Sequence, residues 1–420
     1  MKKLLVLSVI AFTMTSWATS WYENPAVRAT ILASDSAPTS SNTDPHYMQL
    51  SMDNEYLLLN LGWDNGVPAN LYSLGSIVNQ LSGESVVRVE PVKSGKSLYG
   101  NSKGGAVSTE LGIVLLGAAD QNITTLTALP IGGDWTEGRK MSFGGCAPDG
   151  LSFSADGRTL FSNNYIEGSR GELYKWTFPG DPLTSDLSMT KVSSCSTGIS
   201  RIRNISVGVL DGVEYVFFGE GNEASGVVKA VNGSAFSAAE TVLSDSTNIP
   251  GEIMNVRFAG NVLYVATDNG YVVAYSITRN QNGEWSHTLL KRLDPSVLAV
   301  LCGQPTQPSQ MKLRNFDVTN DGSYAIFAYG TRVNSCYATR EDNYTVITVV
   351  TSPAKPEDPK VGEGGASICK STPIALLARS RTCENDKLGS FLSRFAMSLE
   401  SQKLPSFDSD HNIGMLLIVR

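Results

Sequence analysis

An all-β chain built from one small, repeated sheet unit is what this sequence predicts, and three observations carry that expectation. A strand–turn–strand pattern is written six times, most clearly in "GLSFSADGRTLFSNN" (150–164) and "NFDVTNDGSYAIFAYG" (315–330). Each copy alternates apolar and polar residues, turns at a tight polar step such as Asp-Gly, and continues as a second apolar run. Further short strand-like segments follow most of the hairpins. Strong helical periodicity is absent from residues 40–350. Alternation with period two marks half-buried strands, and a repeated unit this small buries its apolar faces only against its neighbours.

The looser copies are "YMQLSMDNEYLLLNLG" from Tyr47, "AVSTELGIVLLG" from Ala106, "NISVGVLDGVEYVFFGEG" from Asn204 and "NVRFAGNVLYVATDNG" from Asn255. The turns fall at Asp53, Glu110, Asp156, Asp211, Gly260 and Asp321, spaced 57, 46, 55, 49 and 61 residues apart. Between them stand segments such as "GELYKWTF" (171–178), "GVVKAV" (226–231), "GYVVAYSI" (270–277) and "NYTVITVV" (343–350). Each repeat therefore supplies about four short strands, the content of one propeller blade. Twisted four-stranded sheets with apolar residues on both faces stack around an axis, burying both faces and leaving short edges.

The expected architecture is a single β-propeller domain over residues 21–420, seven-bladed, with six blades as the alternative. "AVRATILASD" (26–35) reads as a spare strand at one end and "IGMLLIVR" (413–420) as another, so their pairing is the expected latch. Residues 353–409 break the pattern. They open with the Pro/Gly/charged run "SPAKPEDPKVGEGG", and Leu388, Phe391, Leu392, Phe395 and Leu399 then recur at helical spacing. This reads as a partly helical insertion leading into the last strand.

The "FSADGRTLF" stretch resembles the repeats of WD40-like and YVTN/lactonase-type β-propellers, which carry a Phe-Ser-x-Asp-Gly-Arg/Lys-x-Leu run. The resemblance spans residues 45–350 and implies the fold; the Gly-His signature of true WD40 repeats is missing, and Trp-Asp does not recur from repeat to repeat. Lactonase members of that group hydrolyse sugar lactones, but no lactonase catalytic residue is recognisable here.

Lys2 and Lys3, the apolar run Leu4–Met14 and small residues around Ser16, Ala18 and Ser20 read as a secretory signal over residues 1–20. The mature chain is expected to start between Thr19 and Glu23, secreted or periplasmic. No other run reaches the ~18 apolar residues of a membrane-spanning helix. The 33 basic and 40 acidic residues give −7, or −9 without the two leader lysines (40 − 31), and supply no basic footprint for nucleic acid. Cys146, Cys195, Cys302, Cys336, Cys369 and Cys383 make an even count, permitting up to three disulfides in an exported chain. Cys302–Cys336 and Cys369–Cys383 would close the shortest loops.

In a propeller the innermost strands line a central channel and their starts share one mouth. Asn204, Asn255 and Asn315 each precede an apolar alternation, with Arg203 and Arg314 just before two of them. Equivalent stretches hold His46, Tyr47 and Asp149, and Lys103 and Glu252 lie close by. Together these form a candidate pocket for an anionic or hydroxylated ligand; the competing expectation is that they satisfy backbone groups between blades. "GEGNEA" (219–224) and "KSGKS" (93–97) imitate nucleotide-binding loops, but neither precedes a helix, so both read as turns. Three histidines, and no HExxH or CxxC, point to no metal site or cofactor, and nothing selects the members of a triad.

The leading functional expectation is a binding or scaffold protein for an unidentified protein, carbohydrate or small molecule. The alternative is a hydrolase or lyase acting on a carbohydrate or lactone. There His46 or Glu252 would serve as general base, and Arg203 and Arg314 would stabilise an oxyanion.

Overall fold

All six strand–turn–strand repeats are present as antiparallel hairpins in a computed structural model. It describes residues 20–23, 25–32, 45–61, 69–79, 86–87, 89–95, 102–118, 124–148, 150–184, 186–301, 311–333, 336–337 and 346–351. The chain divides into two units, Met1–Lys355 and Pro356–Arg420, and every described residue belongs to the first. The insertion expected over 353–409 and the strand expected at Ile413–Arg420 lie outside the described residues.

Five sheets are blades led by consecutive antiparallel strands, four of them four-stranded and one five-stranded. Blade 1 is Pro45–Leu50, Tyr56–Leu61, Ala69–Ser73 and Lys93–Gly95; blade 2 is Ser102–Ser108, Ile113–Ala118, Thr125–Pro130 and Arg139–Ser142, extended in parallel by Leu187–Ser188. Blade 3 is Leu151–Phe153, Thr159–Asn163, Glu172–Thr177 and Thr190–Ser196. Blade 4 is Ile205–Leu210, Val213–Gly219, Val227–Asn232 and Ala239–Ser244; blade 5 is Ile253–Ala259, Val262–Thr267, Val272–Arg279 and Trp285–Leu293.

The sixth hairpin, Met311–Val318 with Tyr324–Val333, enters a six-stranded composite sheet instead. That sheet continues through Val346–Thr351 to the N-terminal Ala26–Leu32 and then Val86–Val87, while Cys336–Tyr337 pairs with Tyr324–Val333. The number of blades made from consecutive strands is thus five, correcting both the expected seven and the alternative of six. Ala26–Leu32 pairs antiparallel with Val346–Thr351, Ile31 opposite Ile347; the expected latch to Ile413–Arg420 lies outside the described residues. The N-terminal strand finds its partner within the last hairpin's own sheet, so no further blade is needed to cover it.

Period-two patterning explains why these sheets stack. In blade 1, Leu57 and Leu59 face one way and join Met48, Tyr72 and Ile77 against Ile326 and Ala328 of the composite sheet. Leu58, between them, faces the other way and joins Leu71 against Val107, Val114 and Leu116 of blade 2. The same division recurs between blades 2 and 3, 3 and 4, and 4 and 5. Between blade 5 and the composite sheet the core is aromatic: Trp21, Tyr264, Phe316 and Phe327 pack together, and Trp21 is wholly buried. The apolar area hidden on both faces of every sheet is the main stabilising term.

Turn chemistry repeats with the strands. Asp211 and Gly212 have φ of 50° and 78°, the left-handed pair a tight hairpin turn requires. In three other hairpins a Ser or Thr hydroxyl donates to an Asp two residues on: Ser51 to Asp53 and Thr319 to Asp321, both at 2.6 Å, and Ser154 to Asp156. The Ser154 bond holds the Asp156 carboxyl below the usual carboxylate range.

The side chains of Cys302, Cys336, Cys369 and Cys383, and with them the expected Cys302–Cys336 and Cys369–Cys383 pairings, lie outside the described residues. Cys146 and Cys195 are buried free thiols. Cys146 packs in the core between blades 2 and 3, Cys195 in the core between blades 3 and 4, so blade 3 stands between them. Burial pushes the Cys146 thiol up to about 12 and raises Cys195 as well, which keeps both unreactive.

First strands also touch one another. Pro45–Leu50 lies against Ser102–Ser108 and against Met311–Val318, and Ile253–Ala259 lies between Ile205–Leu210 and Met311–Val318. At the last two contacts sits a buried ion pair. Arg257 Nε is 3.1 Å from Asp317 Oδ1, with both side chains 5% exposed. Asp317 Oδ2 accepts from the Leu50 N–H at 2.6 Å, and Arg257 Nε also faces the Val318 carbonyl at 3.0 Å. Burial raises the Asp317 carboxyl, while Arg257 and two amides oppose that rise.

Removing one partner of such a pair leaves an uncompensated buried charge. Arg257→Met is expected to destabilise the protein by ~3–5 kcal/mol, and Arg257→Met with Asp317→Leu by much less. Chemical denaturation of the single and double variants measures both.

Candidate functional site

Each first strand begins at the same mouth because the chain re-enters the channel there after completing a blade. Tyr47, at the start of blade 1, is 4% exposed. Its hydroxyl donates to the Leu151 carbonyl of blade 3 at 2.9 Å and lies 3.4 Å from Asn204 Oδ1. Two residues on, Gln49 Nε2 donates to the same carbonyl at 2.8 Å. Blade 1 therefore reaches past the first strand of blade 2 to hold blade 3. Asn204 in turn meets Asn255 of blade 5, amide to amide, at 2.5 Å, and its Oδ1 accepts from the Ile205 N–H at 2.7 Å. Asn315 is 3% exposed on the adjoining strand of the composite sheet.

Arg203 and Glu252 form a second, shallower arrangement. Arg203 Nη2 lies 2.8 Å from Glu252 Oε2, with 23% and 34% of the two side chains exposed. Arg203 Nε donates to the Gly221 carbonyl at 2.8 Å. Gly221 is needed there, since a Cβ would stand 2.4 Å from Arg203 Cγ. The Glu252 N–H donates to Asp268 Oδ1 at 3.1 Å, fixing the loop that carries the carboxylate.

Five of the ten residues that the sequence assigns to this mouth are thus brought into two bonded groups. Tyr47, Asn204 and Asn255 form one, and Arg203 and Glu252 form the other. The side chains of His46, Lys103 and Arg314, and Asp149 as a whole, lie outside the described residues. Sequence reasoning missed Gln49 and also Glu220, which is 7% exposed and accepts from the Ser200 N–H and Oγ, both at 2.9 Å. Gln49 carried a usable signal, since it follows Tyr47 by two residues on the same face of a strand. Glu220 carried none, because its partner is fixed only by how two blades stack.

Two concavities lie away from this frame. A groove of about 820 Å³ is lined by Lys93–Gly95 and Gly132–Thr136 at the outer edges of blades 1 and 2. A smaller cavity of about 310 Å³ lies among the hairpin turns of blades 1, 2 and 3. Its rim carboxylates are engaged: Asp53 accepts from Thr109 at 2.6 Å, and Glu110 pairs with Arg158. Among the described residues no three His, Cys, Asp or Glu are grouped to hold a metal ion, and no helix is long and apolar enough to cross a membrane.

These features define the class: an all-β protein of antiparallel, four-stranded blades in the β-propeller arrangement. No protein-family model matches the chain, and no curated protein matches it. Solved structures do. Hydrazine synthase of Kuenenia stuttgartiensis is 12% identical, with 70% of this chain and 79% of that one covered, at a TM-score of 0.41. The β-propeller domain of Cps50 (Swd1) from Myceliophteria thermophila is 8% identical, covering 78% and 99%, at 0.43. A putative 6-phosphogluconolactonase from Bacteroides uniformis is 14% identical, covering 74% and 87%, at 0.43. The resemblance to WD40-like and lactonase-type propellers is one of fold.

A half-exposed ion pair contributes little. A double-mutant cycle on Arg203→Ala and Glu252→Ala is expected to give a coupling energy under ~1 kcal/mol, with no loss of cooperative unfolding.

Proposed function

We propose that this protein is an exported β-propeller that binds a partner or ligand without covalent chemistry, presenting its loops from a rigid ring. One observation carries this reading: the described mouth side chains are bonded to each other. Glu252, one of two candidate general bases, is held by Arg203 at 2.8 Å. Arg203, a candidate oxyanion ligand, is bound on both Nε and Nη2. A catalytic base needs a free lone pair within reach of its substrate proton, and an oxyanion hole needs free donors. Tyr47 and Gln49 are spent on the Leu151 carbonyl across the channel. This is the geometry of a scaffold whose polar interior holds blades in place.

The export half of the reading rests on Lys2, Lys3, the Leu4–Met14 run and the small residues after it.

A panel of hydrolase, lyase and lactonase substrates is expected to show no turnover above buffer. Turnover that disappears in Arg203→Ala or Glu252→Gln would replace binding by catalysis at the mouth.

A further inference from the structure

Blade 5 ends in the longest outer strand of the five blades, Trp285–Leu293. Ser286–Leu290 are all exposed, so both faces of this stretch meet solvent, and Leu289 and Leu290 are 42% and 41% exposed. Native sheets blunt such edges by shortness or by cover. Blade 1 ends in three residues, Lys93–Gly95, blade 2 is covered by Leu187–Ser188, and the composite sheet ends in Val86–Val87. The Ile277 N–H donates to the Asn261 carbonyl at 3.1 Å, so Ile277 turns its backbone toward Val262–Thr267. Ser276 and Thr278 turn the other way, onto Thr288 and Ser286, and in the same phase the Asn280 N–H donates to the Glu284 carbonyl at 3.0 Å. Trp285, His287 and Leu289 therefore aim N–H and C=O out of the sheet, where no described residue takes them.

We propose that this edge pairs with the same strand of a second copy of the chain, antiparallel, with His287 on the two-fold axis. Each outward-facing residue then meets an outward-facing residue, Trp285 opposite Leu289 and His287 opposite its own copy. Trp285 is held for this contact by its packing on Tyr215, ring centroids 5.1 Å apart. Charge sets the direction. Glu284 stands just before the strand and Lys291 near its end, and neither has an ion-pair partner among the described residues. Leu289 lies opposite Tyr275 and Lys291 opposite Ala274, so Leu290 is an extra residue and shares one step of the ladder with Lys291. The antiparallel register lays that step against Glu284 of the second copy, with Lys291 and Glu284 on one face. Two such pairs bracket the seam, whereas a parallel neighbour would set like charges side by side.

One strand from each copy makes a small seam, at the weak end of protein interfaces. Backbone bonds and the two Trp285–Leu289 contacts supply its affinity, and the charge pairs select its register. The pairing extends blade 5 on its outer side, the side farthest from the channel. It therefore stands independently of what the mouth or the loops bind.

Sedimentation equilibrium of the full chain over a wide concentration range is expected to show a monomer–dimer equilibrium. His287→Pro removes an outward N–H that the monomer does not use, and is expected to abolish the dimer while melting with the wild type. Glu284→Lys and Lys291→Glu are each expected to weaken the dimer about tenfold, and the double variant to regain most of that loss. A wild-type protein that stays monomeric overturns the proposal. If that monomer captures a synthetic peptide of alternating threonine and valine, the edge belongs to a partner chain, which equally overturns self-pairing. A dimer that survives His287→Pro overturns it by placing the contact elsewhere, and charge reversals that do not restore each other overturn the register.

Discussion

One position of the repeat laces the blades together. Aligned on Tyr47, Asn204, Asn255 and Asn315, the first strands place Gln49, Ser206, Arg257 and Asp317 at the same step, two residues further on. Each of the four reaches backbone of another first strand. Ser206 Oγ accepts from the Phe258 N–H at 3.1 Å, Arg257 Nε faces the Val318 carbonyl, Asp317 accepts from the Leu50 N–H, and Gln49 donates to the Leu151 carbonyl. The inward edges of first strands cannot all be met within a blade, and buried polar backbone demands a partner. The repeat meets that demand with a side chain whose chemistry varies and whose place does not. Burial of apolar faces supplies most of the stability, but it is non-directional. The lacing fixes which blade stands beside which.

This division of labour bears on the mouth. Tyr47, Asn204 and Asn255 stand one step up the same strand faces, and they continue the lacing. Among the described members, Tyr47, Asn204 and Asn255 are joined to one another and to blade 3 by cross-blade hydrogen bonds. A protein so arranged has its free surface in loops and turns, which suits recognition of a partner. Its aromatic anchor at Trp21 serves the seam beside the Arg257–Asp317 pair, so charge and apolar packing meet at neighbouring contacts.

Much of this was legible in the sequence. Period-two alternation broken by short polar turns, three of them Asp-Gly, located all six hairpins, because strand faces and positive-φ turns are local requirements. Ala26–Asp35 was readable as a strand without a blade of its own. Its partner was not, since Val346–Thr351 and Ile413–Arg420 are alike as apolar strands and only long-range register separates them. The cysteine parity suggested bridges, yet parity says nothing of which face of a blade a side chain takes, and Cys146 and Cys195 take opposite ones. Asn204 and Asn255 stand at equivalent places of their repeats and meet amide to amide. The lacing position was hidden because Gln, Ser, Arg and Asp share no chemistry, and only their common backbone targets reveal them as one set.

Amide hydrogen exchange at Leu50 tests the lacing most directly. Its N–H is held by Asp317 of another sheet. If the lacing holds the ring, Leu50 exchanges only through global unfolding, as slowly as the interior of blade 4, and Asp317→Leu releases it selectively. Fast exchange at Leu50 in the wild-type protein, with blade 4 still protected, would contradict it.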